Sequence, residues 1–343
     1  MVNKLKVAIS GFINFLYNKK IVIYGAGLQG ERMAWLLTDL GFSNQILAFV
    51  DNDLQKQNLK IICGHREFNI ISLEAAYYLA DKQTVFLITS LQYKSMFESL
   101  EKRFIDKEID CIVVPEVSHN ELQKSDYDFI IKESDKPMIP KVIHYVWMGS
   151  KMPDNVKRNI DKWREICPDF EFKQWDESNY DVSKNTYMKQ AYEKKIWGFV
   201  SDYIRLDVVY NYGGIYLDTD IEMVRNPEEL LYQKCFGCVD ASFVMNTGSG
   251  FGAVSGFPLI KELRDYYDND VLGDKSEMNV KKSCNTHNYM VLRKYGMKLT
   301  HTMQSVHGMN IYPMIFQGAA QYTNSTRISN KTFWIHHERM SWF

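Results

Sequence analysis

Two aspartates separated by a single residue, Asp218 and Asp220, carry the strongest chemical signal in the sequence. They end an apolar run, and residues 215–220 are predicted to form a β-strand. Side chains at alternate positions of a strand point the same way, so both carboxylates are expected on one face, about 7 Å apart along the strand. Such a pair suits Mg²⁺ or Mn²⁺, and water and phosphate oxygens then occupy the other coordination positions of the ion. A solvated acidic strand end is the alternative.

The segment before this pair is predicted to be a buried helix that carries charges. Residues 199–212 are apolar or aromatic on nearly every side, and the charged exceptions are Asp202, Arg205 and Asp207. A helix that is apolar all round is usually buried, and a buried charge is costly unless it is paired or used. Asp202 and Arg205 are three residues apart and share one face of the helix. The next residue after the run, Gly213, suits the end of a helix.

A glycine motif near the N-terminus is the second candidate site. Gly25, Gly27 and Gly30 fit G-x-G-x-x-G between a predicted strand and a predicted helix, and Asp51 follows 21 residues after Gly30. In this context the glycines let the backbone approach a pyrophosphate and the acidic residue accepts hydrogen bonds from a ribose. The motif predicts binding of a nucleotide. The alternative is a Rossmann-like domain retained for packing or for contact with a partner.

The N-terminal part alternates short apolar runs with helical patterns, which is typical of an α/β fold with a parallel sheet covered on both faces. The predicted strands are 21–24, 46–50, 85–88 and 111–114, and the predicted helices are 28–40, 73–79 and 93–104. The pattern lapses between Pro115 and Pro140, and a second series of strands and helices begins at Lys141. We therefore expect a Rossmann-like domain over 1–125, a linker over 126–139 and a second domain over 140–343.

The overall composition restricts the class of protein. With 41 Lys and Arg against 42 Asp and Glu, the chain has no broad basic surface, so nucleic acid is not expected as a partner. Apolar runs are too short for a membrane span. Residues 5–17 are predicted to form a first helix packed on the domain behind it, with a weak contact to a membrane surface as the alternative.

The six cysteines are scattered, and without an export signal they are expected to be reduced thiols. Cys235 and Cys238 have C-x-x-C spacing but lack the further ligands of a zinc site, so we interpret them as buried structural cysteines. A cytoplasmic protein is expected, with the inner face of the plasma membrane as a location that the first helix would allow.

Several motifs occur together in the order found in a known family. These are Ser201-Asp-x-x-Arg205, the Gly-Gly-x-Tyr-x-Asp-x-Asp run that ends at Asp220, the upstream segment 139–149 and the C-terminal segment 335–342. From about Pro140 onward the sequence resembles the glycosyltransferases with the Asp-x-Asp sugar-binding motif. That group includes yeast-type initiating mannosyltransferases, bacterial capsular-polysaccharide transferases and, more distantly, the large clostridial glucosylating toxins. The segment from Phe49 to Glu74 resembles N-terminal domains of sugar acyltransferases and other polysaccharide-biosynthesis proteins.

The resemblance implies a GT-A glycosyltransferase domain and retaining transfer from a nucleoside-diphosphate sugar, a UDP-sugar in preference to a GDP-sugar. It implies that Trp147 stacks on the nucleobase and that Asp202 and Arg205 hold the sugar and the diphosphate. Asp218 would contact the ribose, the sugar or a metal-bound water. Asn246 opens a glycine-rich segment that would form a wall beside the donor sugar or acceptor; a flexible turn is the alternative.

The resemblance also implies a site for Mn²⁺ or Mg²⁺. Asp220 would ligate the metal directly, with Asp218 beside it. Glu338 and Ser341 resemble the C-terminal segment of the family that binds metal and phosphate, and Trp342 resembles the indole that covers the leaving diphosphate. Among the histidines, His144 is interpreted as a core residue, whereas His336 and His337 suit either the metal site or an ordinary strand end.

The expected function is that of a retaining, metal-dependent hexosyltransferase in the synthesis of capsular or other surface polysaccharide. Its acceptor would be a glycan or a lipid-linked oligosaccharide, and the sequence does not indicate an oligomeric state. The alternatives are a protein that binds a sugar nucleotide without turnover and an NAD-dependent oxidoreductase or epimerase that uses the N-terminal domain. A glycosidase is disfavoured, because its two carboxylates must flank the scissile bond.

Overall fold

A computed structural model describes residues 1–7, 9–63, 66–90, 92–117, 130–240, 243–269, 272, 284–298, 302–313 and 331–337. The chain divides into two compact units. The described residues up to 117 belong to the first unit, and those from 130 onward belong to the second. In the described part of the chain, no helix has the length and hydropathy that would let it cross a membrane.

The first unit is built on a seven-stranded sheet with the order β1-β7-β6-β2-β3-β5-β4, in which only the β4–β5 pair is antiparallel. Its strands are β1 (Val2–Lys4), β2 (Lys20–Tyr24), β3 (Ile46–Val50), β4 (Lys60–Cys63), β5 (Arg66–Ile71), β6 (Thr84–Ile88) and β7 (Ile109–Val113). Its helices are α1 (Ile9–Leu16), α2 (Leu28–Asp39), α3 (Leu73–Leu79) and α4 (Tyr93–Arg103). Buried side chains of β2, β6 and β7 pack against α3 and α4.

The predicted strands and helices of this unit are confirmed, and the α/β class with them. The predicted first helix over 5–17 was wrong at its beginning, because α1 starts at Ile9 and the N–H of Leu5 donates to the carbonyl of Cys111 on β7. Its packing was predicted correctly, since Phe12 and Leu16 are buried. The antiparallel hairpin β4–β5 was not predicted. Its residues alternate between exposed and buried positions, a signal the sequence carries.

The second unit contains a mixed seven-stranded sheet with the order β14-β15-β12-β13-β10-β8-β9 and a separate antiparallel pair, β11–β16. Its strands are β8 (Val142–Val146), β9 (Glu171–Trp175), β10 (Gly214–Tyr216), β11 (Ile221–Met223), β12 (Cys235–Cys238), β13 (Phe251–Ala253), β14 (Gln304–Val306), β15 (Met309–Tyr312) and β16 (Trp334–His336). Its helices are α5 (Asp154–Ile166), α6 (Thr186–Glu193), α7 (Trp197–Tyr212), α8 (Pro258–Asp265) and α9 (Cys284–Leu292). Strands β8 and β10 are parallel, and β12 runs in the same direction because β13 is antiparallel to both β10 and β12.

The segment before β8 is held by the second unit. The backbone N–H groups of Met138 and Ile139 both donate to the carbonyl of Leu231, and that of Glu133 donates to the carbonyl of Tyr232. Residues 118–129 lie outside the described residues, and the predicted domain boundaries stay a prediction. The described residues of the predicted linker, 130–139, are ten of its fourteen residues, and they are bonded to the second unit.

Helix α7 is the buried helix that the sequence predicted. Ten of its sixteen residues are buried, including all three charged ones. Asp207 is paired on the side of α8, where it accepts hydrogen bonds from Arg264 Nη1 at 3.0 Å and from the Tyr180 hydroxyl at 2.7 Å. The helix ends at Gly213, whose φ of 66° favours glycine. Asp207 therefore has a structural role, whereas Asp202 and Arg205 belong to the candidate site.

The buried cysteines are confirmed as structural. Cys235 and Cys238 lie on β12, both are buried, and both are free thiols. Burial raises the pKa of each thiol above its usual value. A group so protected from ionisation is a poor metal ligand or nucleophile.

The glycine motif of the first unit is closely packed at one end. A Cβ atom on Gly30 would lie 1.9 Å from the carbonyl oxygen of Gly25, whereas one on Gly27 would meet nothing within 4 Å. The carboxylate of Asp51 accepts hydrogen bonds from the backbone N–H of Ala26 and of Asp53, both at 2.9 Å. Asp51 therefore fixes the loop, and the binding of a nucleotide by these residues stays a prediction.

Gly30→Ala should lower the free energy of unfolding by about 1–3 kcal/mol, because the added methyl group meets backbone that cannot move aside cheaply. Gly27→Ala is the matched control and should change it by less than about 1 kcal/mol. The measurement is the urea midpoint followed by circular dichroism. Equal midpoints for Gly30→Ala and the wild type would show that the close approach is absent.

His144 is the core histidine that the sequence predicted. It is fully buried on β8, its Nε2 donates to the carbonyl of Gly213 at 2.8 Å, and its Nδ1 accepts from Trp175 Nε1 at 3.1 Å. This arrangement requires the neutral imidazole with a proton on Nε2. Burial lowers its pKa from 6.5 to about 4. His144 thus ties β8 to the end of α7.

The neutral His144 makes stability depend on pH. In the unfolded chain the imidazole of His144 is protonated below about pH 6.5, whereas in the folded chain it is protonated only near pH 4. The free energy of unfolding therefore falls, by up to about 3 kcal/mol, as the pH is lowered from 6.5 to 4. His144→Gln removes the titrating group. Urea unfolding at pH 7.5 and pH 4.5 should show a smaller loss for the variant than for the wild type, and parallel losses would contradict the assignment.

Candidate active site

The site lies at the edge of the second sheet where parallel strands end. Trp147 directly follows β8, and Asp218 and Asp240 lie two residues after the ends of β10 and β12. Because these strands run in the same direction, the three residues leave the sheet at the same edge. In open α/β sheets, ligands bind outside the carboxyl ends of the strands.

The predicted strand over 215–220 is wrong. Strand β10 ends at Tyr216, and β11 begins at Ile221. Between them the chain forms a turn in which the N–H of Ile221 donates to the carbonyl of Asp218 at 3.0 Å. The two aspartates are close together, as predicted, but a turn brings them there and not the alternation of a strand.

Two side chains of helix α5 donate hydrogen bonds to the main chain of this turn. Asn159 Nδ2 donates to the carbonyls of Thr219 at 3.1 Å and Ile221 at 2.6 Å. Trp163 Nε1 donates to the same carbonyl of Ile221 at 2.9 Å, and its ring is fully buried. The position of the two carboxylates is therefore fixed through the main chain between them.

A buried guanidinium connects helix α7 to the turn. Arg205 is 3% exposed. Its Nη1 lies 3.0 Å from Asp202 Oδ1, and its Nη2 donates to Ser201 Oγ at 2.8 Å and to Asp218 Oδ1 at 3.1 Å. The hydroxyl of Tyr216 donates to the same Oδ1 of Asp218 at 2.8 Å. Asp218 is thereby oriented by two side chains.

Burial changes the electrostatics of this group. It raises the pKa of Asp202 to about 7, against the opposing effect of Arg205. Burial also raises the pKa of Asp218, and the charge of Asp220 acts in the same direction. Arg205 pairs with Asp202 and Asp218, and Asp220 lies beside Asp218, so this region has an excess of carboxyl groups over the single guanidinium. A bound cation would offset that excess.

Asp218, Asp220 and His336 form a group that could hold a metal ion. One ligand atom from each lies within 4.8 Å of the other two. The antiparallel pairing of Ile221 with His336 brings β16 to the turn, and His336 Nε2 lies 3.3 Å from Asp220 Oδ1. Carboxylate oxygens suit Mg²⁺ and Mn²⁺, and an imidazole nitrogen suits transition metals. The donor set therefore fits a divalent ion.

The segment that begins at Asn246 packs directly on Asp218. Thr247–Ser249 is a buried 3₁₀ helix, and Asn246 Oδ1 caps it by accepting from the N–H of Gly248 at 2.8 Å. A Cβ atom on Gly248 would lie 2.7 Å from Asp218 Oδ2 and 3.2 Å from Arg205 Nη1. This geometry favours the wall over the flexible turn. Because the Asn246 side chain is used within the loop, its contact with a donor stays a prediction.

Trp147 is half-buried beside the site. Its backbone N–H donates to the carbonyl of Trp175 at 3.0 Å, and its Nε1 donates to the carbonyl of Ser150 at 2.9 Å. One part of the ring system packs against the core of the second unit. Its stacking on a nucleobase stays a prediction. Glu338, Ser341 and Trp342 lie outside the described residues.

Several residues of the site were not assigned from the sequence. Asp240 is buried, and its Oδ2 accepts from Nδ2 of Asn246 at 3.2 Å and of Asn285 at 2.5 Å. Ser249 Oγ lies 2.9 Å from His336 Nδ1. Polar residues between apolar neighbours were the available signal, but only tertiary pairing shows what they contact.

Comparison with known proteins points to the same region. Residues 153–237 match the family described as "Glycosyltransferase sugar-binding region containing DXD motif". Over 165 residues the chain is 27% identical to inositol phosphoceramide mannosyltransferase 3 of Schizosaccharomyces pombe, covering 47% of this chain and 43% of that protein. It is 30% identical over 112 residues to mannosyl phosphorylinositol ceramide synthase CSH1 of Saccharomyces cerevisiae, covering 30% and 29%. The chain thus spans less than half the length of these relatives.

Among solved structures, the PaToxG glycosyltransferase is similar, with a TM-score of 0.36 and 16% sequence identity. The match covers 54% of this chain and 80% of that one.

Asn159→Ala should weaken Mn²⁺ binding by about 10–100-fold, because the turn between the two aspartates loses its support. Asn211→Ala is the control, since Asn211 also makes two hydrogen bonds, to the carbonyl and carboxylate of Asp207. Titration of each purified variant with Mn²⁺ measures the effect. An unchanged affinity in Asn159→Ala would mean that the turn keeps its shape without α5.

Proposed function

Because residues 153–237 carry the sugar-binding region of the DXD glycosyltransferases, we propose that this protein is a retaining, metal-dependent glycosyltransferase. It would move a sugar from a nucleoside diphosphate to a hydroxyl group of a glycan or lipid-linked acceptor. The observation that carries this proposal is the convergence of Asp218, Asp220 and His336 beside a buried arginine.

A divalent ion, when bound, would neutralise the diphosphate and stabilise it as a leaving group. Asp220 and Asp218 would hold this ion, and the surrounding residues keep both carboxylates in place. The segment Thr247–Ser249 covers Asp218 and excludes water from one side of this carboxylate, because Thr247 and Ser249 are fully buried. Preorganised charges in such a site act without reorganisation cost during the reaction.

Arg205 is engaged by protein side chains, and we propose a role for it in addition to the predicted contact with the donor. Its two terminal nitrogens are bonded to Asp202, Ser201 and Asp218, and its side chain is buried. We infer that it acts as a positioning residue, through the orientation and charge of Asp218. Retention of configuration would follow from approach of the acceptor on the same sugar face as the leaving diphosphate, without a protein nucleophile.

The named relatives and the resemblance to capsular-polysaccharide transferases favour different donors and acceptors. The relatives are named as mannosyltransferases of inositol phosphoceramide, which favours an activated mannose and a lipid-borne hydroxyl acceptor. The resemblance to capsular-polysaccharide transferases favours a glycan intermediate and a UDP-sugar. Cytoplasmic action at the inner face of the plasma membrane is compatible with either acceptor and is part of the proposal.

The test is donor hydrolysis or transfer with a panel of UDP-hexoses and GDP-mannose in the presence of Mn²⁺, with and without EDTA. Asp220→Asn should lower the rate at least about 100-fold without unfolding the protein, because a charged metal ligand is lost. Glu222→Gln is the matched control two residues away. Its carboxylate is half exposed and bonds to His337, so the variant should turn over like the wild type. Normal turnover by Asp220→Asn would refute the site.

A further inference from the structure

We propose that Asp240 is a positioning residue for the transfer reaction, because its carboxylate fixes the side-chain amide of Asn246 and, through that amide, the segment Thr247–Ser249 of the site. This inference rests on the proposed function, since turnover is one of its two measurements. It assigns a role to a buried carboxylate that the mechanism above does not use. Asp240 lies two residues after the end of β12, at the same edge of the sheet as Asp218.

The main chain brings Asp240 and Asn246 together. The N–H of Asp240 donates to the carbonyl of Val244 at 3.0 Å, and the N–H of Asn246 donates to the carbonyl of Cys238 at 3.1 Å. The two side chains are only 4% and 7% exposed. Asp240 Oδ2 accepts from Asn246 Nδ2 at 3.2 Å and from Asn285 Nδ2 at 2.5 Å. This carboxylate is therefore bonded both to the segment after β12 and to helix α9.

The amide of Asn246 fits its surroundings in one orientation. Its Oδ1 faces two donors, the N–H of Gly248 at 2.8 Å and the thiol of Cys284 at 3.5 Å. Burial raises the pKa of this thiol to about 12, so the thiol keeps its proton and donates it. A rotation of the amide by 180° would turn its NH₂ group toward these donors and its oxygen toward the carboxylate of Asp240. Because a carboxylate only accepts, Asp240 selects the orientation in which Oδ1 caps the segment.

The capped segment lies directly against the ion pair network. A Cβ atom on Gly248 would lie 2.7 Å from Asp218 Oδ2 and 3.2 Å from Arg205 Nη1. Protein interiors are packed so densely that small displacements are transmitted to neighbouring groups. A shift of Gly248 would therefore change the contact that one face of the Asp218 carboxylate makes. Removal of the Asp240 carboxylate should reach the site in this way, through the segment.

The first measurement is turnover in a double-mutant cycle of Asp240→Ala and Asn246→Ala, with Mn²⁺ and the nucleotide sugar that the wild type hydrolyses fastest. Each single variant should lower kcat by about 10–100-fold, because the segment over Asp218 loses its cap. The double variant should be no slower than the slower single variant, since both changes remove the same contact. Effects that multiply in the double variant would show that the two residues act independently and would overturn the inference.

The second measurement follows the Asn246 amide without substrate. In full-length protein labelled with ¹⁵N-asparagine, the side-chain amide signal that disappears in Asn246→Ala belongs to this residue. Asp240→Asn keeps an acceptor oxygen, so it should keep most of the turnover. It should nevertheless shift the Asn246 signal, because a neutral acceptor forms a weaker hydrogen bond than a carboxylate. Asp207→Asn is the matched control and should change neither property, since its buried carboxylate bonds to Arg264 and Tyr180.

The outcomes separate this inference from the proposed function. An unchanged Asn246 signal in Asp240→Asn, or normal turnover by Asp240→Ala, would overturn the inference and leave the transferase function standing. If Asp240→Ala does not fold, normal turnover by Asn246→Ala overturns it instead. Turnover by Asp240→Asn as slow as that by a folded Asp240→Ala would also overturn it, because the charge and not the acceptor would then be required. Absence of turnover by the wild type with all UDP-hexoses and GDP-mannose would overturn the proposed function, and the amide signal would still test the contact.

Discussion

The second unit depends on one buried ion pair network, in which the guanidinium of Arg205 lies between Asp202 and Asp218. A charge in such surroundings is strongly destabilising unless it is paired and hydrogen-bonded. The two terminal nitrogens of Arg205 meet this requirement by joining a helix to a turn, so the contacts that stabilise the buried charge also orient the Asp218 carboxylate. Asp220 lies beside Asp218, and its charge helps to raise the pKa of that carboxyl group, so a cation held between the two would relieve their repulsion. The contacts that hold Arg205 in the fold therefore also position one of the two carboxylates that could hold a cation.

The remaining parts of the site are held by the main chain. Asn159 and Trp163 bind carbonyls of the aspartate turn, and Trp334 binds a carbonyl of the adjoining loop. Side chains that bind backbone fix the path of the chain and leave the carboxylates available for a ligand. The sheet contributes by ending its parallel strands at one edge, and β16 contributes by pairing with β11. Positions far apart in the sequence thus meet around a turn of four residues.

The sequence predicted well what local patterns determine. Helix α7 and the first-unit elements follow from periodicity, and the core role of His144 follows from its apolar neighbours. The aspartate pair was predicted to be close together, but for the wrong reason, since a single apolar run does not reveal that β10 ends at Tyr216. His336 could be left only as one of two interpretations, because its place depends on a strand pairing across more than one hundred residues. Asn159 gave no signal at all, since an asparagine on a polar helix is ordinary until its two acceptors are known.

The segment after Asn246 covers the aspartate turn, so that the Asp218 side chain is packed against protein on one side. At Gly248 the main chain passes so close to Asp218 and Arg205 that a methyl group would overlap the carboxylate. Glycine is required there for close approach, because φ is not the constraint. Ser249, one residue later, then reaches His336, and Asn246, two residues earlier, reaches Asp240. The 3₁₀ helix Thr247–Ser249 thereby packs on the ion pair network at Gly248 and contacts the imidazole of His336 at Ser249.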